Sequence, residues 1–96
     1  MSPLPDLILY GRPDCALCAA ARDLIVGLLA RRAASGQPVP AFVERDIETD
    51  PDWQRAYFTT IPVVELGDRR LETVTSVAAL RRLLADVLDA VESSRP

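Results

Sequence analysis

The sequence predicts one α/β domain, a mixed four-stranded sheet flanked by three helices in the order β-α-β-α-β-β-α. Three observations predict it. The apolar run Leu7-Ile8-Leu9-Tyr10 reads as a strand buried on both faces. Two stretches have helical spacing, Cys15 to about Ala34 and Ser76 onward. Between them, Pro62 to Thr73 reads as a hairpin with glycine at its turn. At 96 residues, 49% hydrophobic and 26% charged, the chain can build one core and lies far from the composition of disordered segments. Residues 1–96 are expected to form that single domain, with a core at about 7–91.

The first strand ends at Gly11-Arg12-Pro13-Asp14. In the helix that follows, Leu17, Ala21, Leu24 and Leu28 form the expected core stripe, with Arg22, Asp23, Arg31 and Arg32 off it. Gly36, Pro38 and Pro40 end that helix and impose an extended connection. Ala41 to Ile47 is the second strand, parallel to the first because the chain returns past a helix. Asp50-Pro51 supplies a capping carboxylate and a proline at the first helical position, opening a short helix that stops near Thr59. Within it Trp53 and Tyr57 lie four apart and read as a pair burying one aromatic face. Pro62 to Leu66, Gly67-Asp68 and Arg69 to Thr73 form the hairpin. Ser76 caps a last helix with Val77, Leu80, Leu84, Val87, Leu88 and Val91 on one face. The acidic run Glu44, Asp46, Glu48, Asp50 and Asp52 reads as a strand exit and helix cap facing water.

Composition narrows the chemistry. All eleven basic residues are Arg, with no Lys, His or Asn, which removes histidine bases, Schiff-base lysines and histidine metal ligands. The net charge of −3 and the scattered arginine pairs give nucleic acid no continuous basic stripe, so no nucleic-acid partner is expected. The start Met-Ser-Pro-Leu-Pro-Asp has no basic region ahead of an apolar one, and the run from Leu24 to Ala30 is too short to span a bilayer. A soluble, cytoplasmic protein with no membrane partner is expected. Two cysteines alone do not make a structural zinc site, which needs about four ligands. No metal is expected.

Those cysteines, Cys15 and Cys18, sit where the first strand hands over to the first helix. A sulfur at a helix start meets unpaired backbone N–H groups and the positive end of the helix dipole, both of which favour a thiolate. Cys18, one turn on, lies on the same helical face and can attack a mixed disulfide formed at Cys15. Arg12 can add to thiolate stability, and Asp14 opposes it. Three other readings stand beside a redox pair: a disulfide staple, an inert pair of buried thiols, and half of a metal site shared between two chains. A loop of about four residues makes a poor staple, worth roughly 2 kcal/mol by the chain-entropy estimate. The strand-to-helix placement favours redox chemistry.

A second motif is Thr60-Ile61-Pro62 at the head of the third strand, where a strand tolerates proline. Together, Arg12-Pro13-Asp14-Cys15-Ala16-Leu17-Cys18 and Tyr57-Phe58-Thr59-Thr60-Ile61-Pro62-Val63-Val64, in this element order, resemble a divergent glutaredoxin-like protein of the thioredoxin superfamily over roughly Leu7 to Leu88. The resemblance implies a thioredoxin-like, glutaredoxin-type fold and a thiol–disulfide oxidoreductase acting in electron transport. In that role Cys15 is the nucleophile, Cys18 the resolving thiol, Pro62 a cis proline facing them, and Ile61 the residue whose N–H and C=O pair with substrate. Arg12, Thr75 and Ser76 complete the implied substrate-binding set. The implied substrate is a protein or small-molecule disulfide, with glutathione or a thioredoxin-type reductase as electron donor and no resident cofactor. The alternative is a non-enzymatic redox-sensing or interaction module. Glu72 to Ser76 lacks the glycine pair with which glutaredoxins approach glutathione, so weak glutathione recognition is expected.

Overall fold

The computed structural model describes residues 4–89. Its elements are β1 (Leu7–Gly11), α1 (Ala16–Ala34), β2 (Phe42–Asp46), a 3-10 turn (Ile47–Thr49), α2 (Pro51–Tyr57), β3 (Val63–Leu66), β4 (Arg69–Leu71) and α3 (Val77–Leu88). The order is the expected one. The strands form one sheet, β2-β1-β3-β4, with β2 and β4 at its edges. β1 runs parallel to β2, Leu9 opposite Glu44, and antiparallel to β3, Tyr10 opposite Val63.

Because side chains alternate along a strand, β1 serves two cores. Leu7 and Leu9 pack with α1 and α3, in a cluster holding Ile25, Leu28, Val64, Leu66, Leu80 and Leu84. Tyr10 faces the other way, against Ile47, Tyr57 and Val63, with Trp53 and Ile61 packed onto that cluster. The Tyr10 ring meets Tyr57 at 4.6 Å and Trp53 edge-on at 5.8 Å. Local chemistry sets the boundaries. The Asp50 carboxylate accepts the Asp52 and Trp53 amides at the start of α2, Asp46 accepts the Glu48 amide, and Ser76 Oγ accepts the Ala79 amide at α3. Gly67, at φ +61°, makes the two-residue turn between β3 and β4.

Two helix faces differ from expectation. α1 buries Cys18, Ala21, Ile25, Leu28, Leu29 and Arg32, whereas Leu17 is 51% exposed and Leu24 half-buried. Apolar residues surround α1, so spacing alone does not select its inner face; contact with β1 and α3 does. Arg32, expected outside, is only 7% exposed. Its guanidinium donates to Asp89 at 2.7 Å and to the Pro38 carbonyl at 2.8 Å, tying the end of α1 to the end of α3 and to the connection before β2. On α3, Leu83 is buried and Val77 exposed, and Val91, expected on this helix, lies outside the described residues.

Candidate functional site

β1 delivers the site. At its C-terminal end Gly11 lies against α1, where an added Cβ would stand 3.1 Å from Cys18 Cβ and 3.2 Å from Cys18 Sγ. Glycine permits this close approach, and any larger residue would need its neighbours to give by a few tenths of an ångström. The connection then turns through Asp14 at φ +60°, a conformation that aspartate tolerates better than most residues. The turn places Cys15 at the N-cap of α1.

Cys15 and Cys18 form a disulfide, with Cα atoms 5.2 Å apart. Cys15 is half-buried and Cys18 is buried, so the sulfur at the helix start is the more accessible one. Cys15 Sγ accepts the Cys18 amide N–H at 3.1 Å, and one of the donors orphaned at the helix start is thereby satisfied by sulfur. Beside the disulfide lies a cleft of about 490 Å³ between α1 and the β1–β2 end of the sheet. Arg12 lines it with both cysteines, and so do Arg22, Glu44, Arg45 and Asp46. Sequence reasoning did not assign those last four residues to the site. Arg22 pairs with Glu44 at 3.1 Å, and the Arg45 guanidinium donates to Tyr10 Oη at 3.1 Å and lies 5.1 Å from the Trp53 ring centre. Tyr10 Oη in turn donates to Glu65 at 3.4 Å. Burial pushes the Tyr10 hydroxyl pKa up, and the Arg45 hydrogen bond acts against that shift. Among the described residues, no three Cys, Asp or Glu side chains gather as a metal-ligand set.

The remaining expected site residues, Ile61, Pro62, Thr75 and Ser76, do not line this cleft. Continuing the antiparallel register one residue beyond Tyr10 and Val63 sets Gly11, and with it Cys18, beside Pro62. Pro62 is fully buried, and the Ile61–Pro62 peptide bond is cis. Ile61 does not offer both backbone groups, as the resemblance implied. Its N–H donates to the Tyr57 carbonyl at 3.0 Å, because α2 ends at Tyr57 and the chain turns back over the helix end. Thr75 and Ser76 are exposed at the start of α3, and Ser76 Oγ is engaged as the cap. The segment ahead of them has no glycine, yet Thr73 takes a left-handed conformation at φ +48°.

A β2-β1-β3-β4 sheet with a Cys-x-x-Cys disulfide at the first helix start and a cis proline at the head of β3 defines the thioredoxin-like class of proteins. Within that class, the glutaredoxin-like domain (DUF836) matches residues 6–88, and the chain belongs to that family. Among solved structures it is similar to target protein XcR50 from X. campestris, whose X-ray structure is 30% identical, with 83% of this chain and 96% of that one covered and a TM-score of 0.66. The solution structure of the same target gives 29% identity, 84% and 94% coverage and a TM-score of 0.64. Protein Ne2328 from Nitrosomonas europaea, 20% identical with 95% and 94% coverage and a TM-score of 0.57, shares the fold. No curated protein matches the sequence.

Proposed function

We propose that the protein is a thiol–disulfide oxidoreductase in which Cys15 is the nucleophile and Cys18 the resolving thiol. The observation that carries this reading is the Cys18 amide donating to Cys15 Sγ at the N-cap of α1. After reduction, the same amide and the helix end favour a thiolate at Cys15. The thiolate attacks one sulfur of a substrate disulfide, forming a mixed disulfide and releasing the other sulfur as a thiolate that takes a proton from water. Cys18 gives up its proton to water, attacks Cys15 Sγ and expels the second substrate sulfur as a thiolate that takes a proton from water, closing the Cys15–Cys18 bond. The substrate gains two electrons and two protons, and the cysteine pair loses them; glutathione or a thioredoxin-type reductase restores the dithiol.

Arg12, on the cleft side, supplies a cationic contact to the substrate, and the Ile61–Pro62 segment supplies backbone contact from the other side. Glutathione carries a carboxylate at each end and needs a donor for each. Thr75 and the α3 amides provide one set, but Asp14 beside the cleft repels a carboxylate, so glutathione serves as a reductant without selective recognition. The deciding experiment is reduction of 2-hydroxyethyl disulfide, coupled in parallel to glutathione with its reductase and to a thioredoxin-type reductase. Sustained turnover that disappears in Cys15→Ser is the expected result. Absence of turnover with both donors, together with partner binding that changes between the dithiol and disulfide states, would establish the redox-sensing module instead.

A further inference from the structure

The cleft beside the disulfide has two ends. Asp14 and Cys15 stand at one, where β1 has stopped at Gly11 and α1 begins. At the other, Arg22 is the last residue of α1 to line the cleft and Glu44 the first of β2, with Leu9, the register partner of Glu44, beneath them on β1. Along the helix axis Arg22 lies about 10 Å from Cys15.

Arg22 and Glu44 join across that far end. The Arg22 Nε–H donates to the Glu44 carboxylate, whose two oxygens lie 3.1 and 3.2 Å from Nε. The guanidinium approaches Asp23, on its own helix, only to 3.9 Å. The pair therefore ties the α1 wall of the cleft to the β2 wall and stands across the way out along β2. At about 490 Å³ the cleft has the size of a small-ligand site, roughly 300–1,000 Å³. It takes a short group attached to sulfur. A chain lying along it and longer than about three extended residues, at about 3.3 Å each, has to break the pair to continue. Both side chains are half-exposed, so the bridge is weak and acts as a bias rather than a barrier.

We propose that the Arg22–Glu44 bridge is a specificity determinant: it reserves the cleft for the short group of a small-molecule disulfide and disfavours a polypeptide lying along the cleft past Glu44. This rests on the oxidoreductase reading of the same site and names the substrate class that the closed end of the cleft favours.

The test uses equilibrium exchange, which needs no turnover. Reduced Cys18→Ser protein is equilibrated separately with 2-hydroxyethyl disulfide and with the disulfide dimer of an uncharged, end-blocked peptide too long for the cleft. In each case the Cys15 thiolate takes one half of the disulfide and releases the other half as a thiol, and the mixed disulfide is quantified by mass spectrometry. The ratio of the two exchange constants, peptide over small disulfide, reads the bias. Glu44→Ala and Arg22→Ala should each raise it roughly 1.4- to 5-fold, the worth of an exposed ion pair. The reciprocal exchange, Arg22→Glu together with Glu44→Arg, should return it to the parent value. High salt, which screens exposed charges, should raise the ratio in the protein that keeps the pair and leave it unchanged in Glu44→Ala. An unchanged ratio in either single variant, an equal change with both disulfides, a reciprocal variant that behaves like the single ones, or a salt response that persists in Glu44→Ala would overturn the proposal. Failure of the unsubstituted protein to turn over 2-hydroxyethyl disulfide would refute the oxidoreductase reading alone, because the exchange ratio would still decide the role of the bridge.

Discussion

Gly11→Ala is the sharpest probe of how closely the site is packed. The new methyl carbon would stand 3.1 Å from Cys18 Cβ and 3.2 Å from Cys18 Sγ, against an optimum of about 3.5–4.0 Å between carbon atoms. Cys18 has little freedom to withdraw, being within α1 and bonded to Cys15. Relief therefore requires β1 and α1 to separate by a few tenths of an ångström, and overpacking of this kind costs about 1–3 kcal/mol. Gly27→Ala is the matched control. Gly27 is exposed in the middle of α1, and an added Cβ there meets nothing within 4 Å, so the change should stabilise the helix by about 0.5–1 kcal/mol. Urea unfolding of the oxidised proteins, followed by the fluorescence of half-buried Trp53, measures both changes. Thermal midpoints should move in opposite directions, by about 4–8 °C for each kcal/mol. A Gly11→Ala protein within about 0.5 kcal/mol of the parent, or stabilised alongside Gly27→Ala, would refute the packing argument.

Further expectations concern the thiols, the buried ion pair and the inner tyrosine. In the reduced protein, alkylation at mildly acidic pH followed by peptide mapping should label Cys15 before Cys18; equal labelling would contradict the helix-start argument. Asp89→Ala leaves the buried Arg32 guanidinium without its carboxylate and should cost about 1.5–3 kcal/mol, more than Arg32→Met, which removes the charge; urea titration orders the two. The raised Tyr10 pKa means that the unfolded chain ionises first as pH rises through about 10, so the stability held below that pH should fall above it. Tyr10→Phe should flatten this fall in alkaline unfolding curves of the oxidised protein, and an unchanged slope would count against a buried phenol.

What was legible in the sequence was local. Leu7 to Tyr10 announced a central strand because neighbouring residues there are apolar on both faces, and Cys15 announced a helix start because glycine, proline and aspartate precede it. The inner face of α1 was not legible, since Leu17 and Leu24 are as apolar as Ile25 and Leu29 and only the position of β1 and α3 distinguishes them. Nor was the burial of Arg32, whose partners lie at Pro38 and, across the fold, at Asp89. The Ile61 N–H was lost to the Tyr57 carbonyl because α2 stops at Tyr57 rather than near Thr59, a shift within the usual uncertainty of a helix end. Glu44, Arg45 and Asp46 joined the cleft through the register of β2 against β1, Leu9 opposite Glu44, which the parallel direction read from the sequence does not fix, and Arg22 joined it from α1.

The sheet's two borders bear on how a polypeptide can be captured. β2 carries Glu44, Arg45 and Asp46 along one border, with Glu44 bridged to Arg22, and β4 presents Arg69 and Arg70 over a strand of only three residues at the other, with Arg69 near Asp86. Short, charged borders discourage a foreign strand from lengthening the sheet sideways. An incoming chain is thereby turned away from both flanks and left with the end of the sheet, where the central strand stops at Gly11 and the sulfurs lie. The arginines and carboxylates of the rim act as a filter on direction of approach: a polypeptide meeting the sheet is steered toward its end, where Cys15 lies.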